Sequence, residues 1–199
     1  MAGEEHPPSW LWKGAVAALA LVLAGGGLLA TALGAGWGSP HAGTPPTWRA
    51  DRPITLTAST SDPVQRYPLA GGSDAFSLEV VAQPVSGADF NGYGLAVGTT
   101  AFAIGGDGYT AVLATDGVAE APRVPWQAFP HIHRGASPNR LRVTCDGHTC
   151  EFRINDELAA TVDDAGQRAE LALWAHWFEG PPLHVQFTQI ARWDTPTSD

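Results

Sequence analysis

The chain has 199 residues, with 11 Lys plus Arg against 20 Asp plus Glu and a formal net charge of −9 at pH 7. No basic block is present that would neutralise a phosphate backbone, which excludes nucleic acid as a partner. With 44% hydrophobic residues, 8 Trp and 23 Gly, the composition is that of a packed, turn-rich domain and not of a disordered tail.

Residues 1–13 form a short N-terminal tail. Residues 14–37, GAVAALALVLAGGGLLATALGAGW, carry no charge. At about 1.5 Å per helical residue this run reaches roughly 35 Å, enough to cross a hydrocarbon layer of about 30 Å. It therefore reads as a transmembrane helix, with Trp10, Trp12 and Trp37 at its two ends as interfacial aromatics. A cleaved signal peptide is the competing reading, with Ala30-Thr31-Ala32 as the small-residue site, but signal-peptide apolar regions run only about 7–15 residues. The positive-inside signal is weak, because Lys13 and the terminal amine are opposed by Glu4 and Glu5. A large C-terminal domain and cysteines at hairpin spacing place that domain on the oxidising side. The expectation is a single-pass protein of the cell membrane, in contact with the lipid bilayer through 14–37, whose C-terminal domain lies outside the cytoplasm.

Residues 38–48, GSPHAGTPPTW, are a Pro/Gly-rich linker without apolar periodicity. From 49 to 199, short runs of Val, Ile, Leu, Thr and aromatics recur between Gly, Asp, Asn and Pro clusters. The strands predicted are 53–59, 64–70, 75–84, 92–99, 101–105, 108–114, 122–127, 139–146, 149–155, 158–163, 169–177 and 183–193. So many strands in so short a domain call for an all-β, two-sheet antiparallel sandwich.

The stretch NRLRVTCDGHTCEFRIND, 139–156, fixes a register. If Gly147 and His148 are the central residues of a type II′ turn, Asp146 and Thr149 close the loop. Cys145 then faces Cys150 as a non-hydrogen-bonded pair, where a disulfide fits. Val143 falls opposite Phe152 and Leu141 opposite Ile154, on the same face as the cysteines. A zinc site would need further ligands, and the chain has only these 2 Cys. A redox pair would favour C-x-x-C at a helix start, which this spacing is not.

Four segments, "NGYGLAVG" (91–98), "AFAIGGDGYTAVLATDG" (101–117), "NRLRVTCDGHTCEFRINDELAATVDD" (139–164) and "LHVQFTQIARW" (183–193), share a pattern. Together they resemble bacterial extracytoplasmic domains of the concanavalin A-like lectin/glucanase superfamily. Within it they look like laminin-G-like and 3-keto-disaccharide-hydrolase-type members. The resemblance covers residues 74–194 and implies a jelly roll with one concave face. Members that hydrolyse β-glucans carry an E-x-D-x-x-E strand that puts alternate carboxylates on one face. This chain has no such triplet, and Glu79 stands alone in SLEVVAQ.

No catalytic constellation, metal site or cofactor is expected. His131-Ile132-His133 puts two imidazoles on one face of an extended segment, but no third ligand follows at metal spacing. Candidate ligand-binding residues are the aromatics Trp126, Trp174, Trp177, Tyr93 and Tyr109, which offer flat faces for sugar rings. Trp174 and Trp177 lie in LALWAHWFEG, where both strand faces are apolar, so one is core and the other lines the concave face. Arg142 and Arg153 complete the set, because the derived register puts them opposite each other, and like charges so placed need neutralising by Glu151, by acids on a neighbouring strand or by an anionic ligand. The reading is a membrane-anchored, non-catalytic binding module for carbohydrate or an envelope partner protein. Its rivals are a glycoside-active enzyme of the same superfamily and an accessory subunit of a membrane complex whose helix packs through Gly25-Gly26-Gly27.

Overall fold

The computed structural model describes residues 44–71, 74–115, 121–163 and 170–194. The tail, the predicted membrane segment 14–37 and most of the linker lie outside the described residues. No helix among the described residues is long and apolar enough to cross a membrane. Pro45–Asp199 forms one compact unit.

Each of the twelve predicted strands is present, with ends displaced by no more than two residues, and one short strand joins them at the start. In chain order they are β1 Trp48–Arg49, β2 Ile54–Ala58, β3 Val64–Pro68, β4 Ala75–Ser86, β5 Gly92–Val97, β6 Thr100–Gly105 and β7 Tyr109–Ala114. β8 Ala121–Ala128, β9 Asn139–Asp146, β10 Thr149–Ile154, β11 Glu157–Asp163, β12 Leu171–His176 and β13 Leu183–Asp194 follow. β1 begins at Trp48, the last residue of the predicted linker. Two residues are too few to carry a period, so only pairing with β13 defines this strand.

All pairs are antiparallel, and two sheets result. One runs β1-β13-β4-β9-β10-β11, with β2 also on β13, and the other β3-β12-β5-β6-β7-β8. Alternation aims Phe76, Leu78 and Val80 of β4 and Leu141 and Val143 of β9 into the sandwich, against Leu95 of β5, Phe102 of β6 and Leu173 of β12. Phe102 meets Phe152 across that interface, with ring centroids 5.5 Å apart.

The six-stranded sheet is apolar on its other face too. Laterally paired Trp174, Gly94, Ala103 and Ala111 belong to that face, and Trp174, Ala96, Ala101, Ala103, Ala111 and Ala172 are all buried there. Small residues are required at the centre. A Cβ on Gly94 would stand 2.0 Å from the carbonyl oxygen of Phe102, so no side chain fits where β5 meets β6.

The β9–β10 hairpin has the register derived above, with Cys145 opposite Cys150, Val143 opposite Phe152, Leu141 opposite Ile154 and Arg142 opposite Arg153. Gly147 takes φ +97°, the positive value that a type II′ turn needs at its first central residue. Asp146 Oδ1 accepts the amides of His148 and Thr149 at 2.9 and 2.8 Å, and these bonds hold its carboxyl below the usual range. The cysteines are joined, with Cα atoms 4.1 Å apart. At the other end Asn155 and Asp156, at φ 50° and 74°, form the turn into β11 with two left-handed residues.

The clasp closes a loop of only a few residues, so chain entropy assigns it roughly 2 kcal/mol. Replacing both cysteines by Ser should lower the free energy of urea unfolding by that amount while keeping the β-sheet circular dichroism. An unchanged urea midpoint would show that the bond adds nothing to the packed hairpin.

Candidate functional site

One end of the six-stranded sheet carries an aromatic depression. Gly92 of β5 pairs with Gly105 of β6 and with His176 of β12, and Tyr109 of β7 pairs with Ala128 of β8, so these strand ends lie together. Phe90, Asp107, Tyr109, Trp126 and Phe178 line an open depression of about 300 Å3 there. Phe90, Tyr109 and Phe178 are 41, 42 and 38% exposed, which is unusual for side chains of this size gathered in one place.

The aromatics support one another. Rings continue outward along β12 from Trp174 to His176 (5.8 Å between centroids) and on to Phe178 (4.3 Å). Phe178 in turn meets Trp126 edge to face at 6.1 Å. A Cβ on Gly92 would lie 3.2 Å from Trp174 and 3.4 Å from Trp126, so both indoles converge over that glycine.

The loops that carry the depression are tied by hydrogen bonds. Buried Asn91 accepts the amide of Phe178 at 2.8 Å through Oδ1 and donates to the carbonyl of Glu179 at 3.3 Å. One side chain thus fixes the β12 exit beside the loop that bears Phe90. The Asp107 amide donates to the Asp89 carbonyl at 3.0 Å, and Asp107 Oδ1 accepts the amide of Tyr109 at 3.2 Å. Gly105 gives that carboxylate room, since a Cβ there would meet Asp107 Oδ1 at 2.5 Å. A preorganised rim of this kind cuts the entropy cost of holding a ligand.

The structure brings Trp126 and Tyr109 into the depression and distributes the other sequence candidates. Trp174 lies on the same outer face but beneath it, fully buried at 0% exposure. Trp177 packs partly buried against the main core, and its indole N–H donates to the Gly180 carbonyl at 3.1 Å. Tyr93 faces the sandwich interior, where burial pushes its phenol well above the usual tyrosine value, against a smaller opposing effect from Asn139.

Arg142 and Arg153 belong to the other sheet, on its face away from the core. Arg142 is buried, 3.6 Å from Glu79 of β4 and 3.7 Å from Asp156. Arg153 pairs with Glu151 at 3.1 Å, and Arg140 pairs with Asp156. The neutralising groups are therefore Glu151 and acids of neighbouring elements. His131 and His133 are held through their backbones: the His133 amide donates to Asn139 Oδ1 at 2.8 Å, and Asn155 Nδ2 donates to the His131 carbonyl at 2.7 Å. Ile132 between them is buried. Among the described residues no three His, Cys, Asp or Glu side chains gather as a metal set.

Phe90 is not singled out from sequence, and Asp107, which with Asp89 and Asn91 could offer oxygens to calcium, reads there as a turn residue because EF-hand spacing is lacking. Phe90 sits in Asp-Phe-Asn-Gly, a turn-forming context, and a large aromatic in such a turn was the available signal.

No protein-family model matches the chain, and no curated protein does. Among solved structures, the carbohydrate binding module CBM66 from Bacillus subtilis overlays with a TM-score of 0.53 at 9% identity, covering 70% of this chain and 95% of that one. A functionally unknown protein from Saccharomyces cerevisiae overlays with a TM-score of 0.50 at 14% identity, covering 76% and 94%. At such identities these overlays establish a shared two-sheet jelly-roll fold and nothing about ligands.

Burial raises the Glu79 carboxyl above its ordinary value, outweighing the pull of Arg140 and Arg142, and Asp156 adds to the rise. A carboxyl raised by folding stabilises while protonated, so its contribution is present below the unfolded value and is lost as pH rises through the folded one. Wild-type protein should therefore lose more urea stability than Glu79→Gln on going from about pH 4 to about pH 7. Parallel curves for the two proteins would show that Glu79 titrates as an ordinary carboxylate.

Proposed function

We propose that this domain is a non-catalytic carbohydrate-binding module, held at the outer side of the cell membrane by residues 14–37. The observation that carries the reading is the depression of Phe90, Tyr109, Trp126 and Phe178 with Asp107 in its wall. A pyranose or furanose ring has an apolar face of C–H groups, which stacks on aromatic rings, and an edge of hydroxyls, which a carboxylate accepts. Glycoside hydrolysis asks for two carboxyl groups across a scissile bond, whereas the lining here carries one. The jelly-roll fold shared with a protein named as a carbohydrate binding module supports the same choice. A disulfide in a small β domain suits an oxidising compartment, and the uncharged run 14–37 is long enough to anchor it there.

Binding energy at such sites concentrates in a few rigid aromatics. Trp126→Ala and Tyr109→Ala should each weaken retention of neutral oligosaccharides on a glycan array by at least about tenfold. Leu158→Ala, an exposed apolar change on β11, should leave retention as it was. Retention that survives both aromatic changes would remove the depression from the function. Capture of a cell-envelope protein with no glycan bound would replace the carbohydrate reading by a protein partner.

The anchor has its own check. The full chain should stay with membranes after alkaline carbonate washing, a chain lacking 14–37 should be released, and protease added outside intact cells should cut the domain. A mature protein that begins after residue 32 would show a cleaved leader in place of an anchor.

A further inference from the structure

A second groove lies at the opposite edge of the six-stranded sheet. Residues of β1, of the segment leading into β2 and of the end of β3 enclose about 290 Å3, with Trp48, Arg49, Asp51, Arg52 and Tyr67 in the lining. Both walls are fixed by backbone bonds, Ala50 N–H to the Ile190 carbonyl at 3.0 Å and Leu69 N–H to the Leu171 carbonyl at 2.8 Å. Arg192 donates to the carbonyls of Ala70 and Gly71 and is itself paired with Asp194 at 3.1 Å, so the β3 end of the groove is held by a neutralised group.

The groove is set apart by its charges. Among the described residues Arg140, Arg142, Arg153 and Arg192 pair with carboxylates. Arg66 donates to the Gly98 carbonyl and Thr115 Oγ1, Arg123 donates to the Asp163 carbonyl, and Arg134 packs against Gly108. Arg49 and Arg52 have neither a carboxylate nor a carbonyl partner among the described residues, and they stand three positions apart in one groove. In a chain with 20 acidic residues, two arginines in one lining that are in no ion pair among the described residues are conspicuous. Guanidinium forks match the two oxygens of a carboxylate or phosphate. Tyr67, 45% exposed, lines the same groove, and Trp48 packs against the main core.

We propose that this groove is a second binding site, for a single oxyanion, carboxylate or phosphate, carried on a sugar ring: Arg49 and Arg52 hold the oxyanion and Tyr67 covers the ring. Asp51 in the same lining accepts ring hydroxyls and limits the local charge to one net positive. The −9 of the whole chain repels polyanions, so the ligand is an acidic monosaccharide unit and not a highly charged polymer. The site is distinct from the aromatic depression and stands whether or not that depression binds glycans.

The test is calorimetric titration of the full-length protein in neutral detergent with glucuronic acid, glucose 6-phosphate and glucose. At least one of the two acids should bind, at least about tenfold more tightly than glucose and more weakly as salt rises. Glucuronic acid alone, or glucose 6-phosphate alone, identifies which oxyanion the forks accept. Arg49→Gln/Arg52→Gln should abolish the preference with the thermal midpoint unchanged. If that pair lowers the midpoint, Tyr67→Ala carries the comparison and should weaken both acids. Trp126→Ala should leave acid binding intact. The proposal falls if neither acid binds, if glucose binds equally well, or if acid binding survives the arginine changes. It falls equally if acid binding disappears in Trp126→Ala, which would move the oxyanion to the depression.

Discussion

The centre of the six-stranded sheet is buried on both faces, and that constraint organises the rest of the molecule. A sheet with one wet face has alternating strands, whereas β5, β6 and the centre of β7 are apolar or small at every position. The inner side holds Leu95, Phe102 and Leu173, while the outer side is Gly, Ala and Leu113 around the buried indole of Trp174, with Trp126 packed against them. Gly94 shows why the outer side is so lean, since the carbonyl of Phe102 occupies the space a Cβ would need. With small residues filling the centre, large outward side chains are confined to the ends and edges of the sheet. The aromatic depression and the arginine groove are both found there.

The same constraint decides what the sequence could reveal. Where one face is wet, alternation specifies register, and β9–β10 could be derived residue by residue, down to Arg142 opposite Arg153. Where both faces are apolar, period 2 vanishes, and LALWAHWFEG offers no way to say which tryptophan is covered. The structure puts Trp174 under the outer face and turns Trp177 toward the main core. Loop residues were harder still. Phe90, Asp107 and Phe178 come together because the Asp89 carbonyl ties the Asp107 turn, and Asn91 ties the β12 exit, to the turn that bears Phe90. Such contacts leave no local periodicity.

Charge is handled differently on the two sheets. On the seven-stranded sheet, Arg140, Arg142 and Arg153 are interleaved with Glu79, Glu151 and Asp156, so the facing guanidiniums stabilise by pairing within the sheet. Glu79 shows the residual cost, because its burial outweighs the attraction of two arginines. These groups act structurally, and the mutual compensation leaves little field to attract a ligand. Arg49 and Arg52 lack that compensation, which makes a sparse pair of charges more telling than a dense cluster.

The two grooves also differ in what holds them. The depression draws on four separate stretches of chain, so its shape depends on the loops staying tied through Asn91, and loss of that amide would spread Phe90 and Phe178 without touching either ring. The arginine groove draws on two stretches, 48–54 and 67–70, each bonded to a neighbouring strand. Tyr67 on β3 and Trp126 on β8 are separated by the intervening strands β12, β5, β6 and β7. At neighbouring-strand spacings of about 4.8 Å, side chains so far apart share no partner, and their substitutions should add independently. A domain arranged this way can recognise a neutral ring at one edge and an acidic ring at the other, and a mostly neutral polymer that carries sparse acidic rings would engage both edges with an avidity that neither groove has alone.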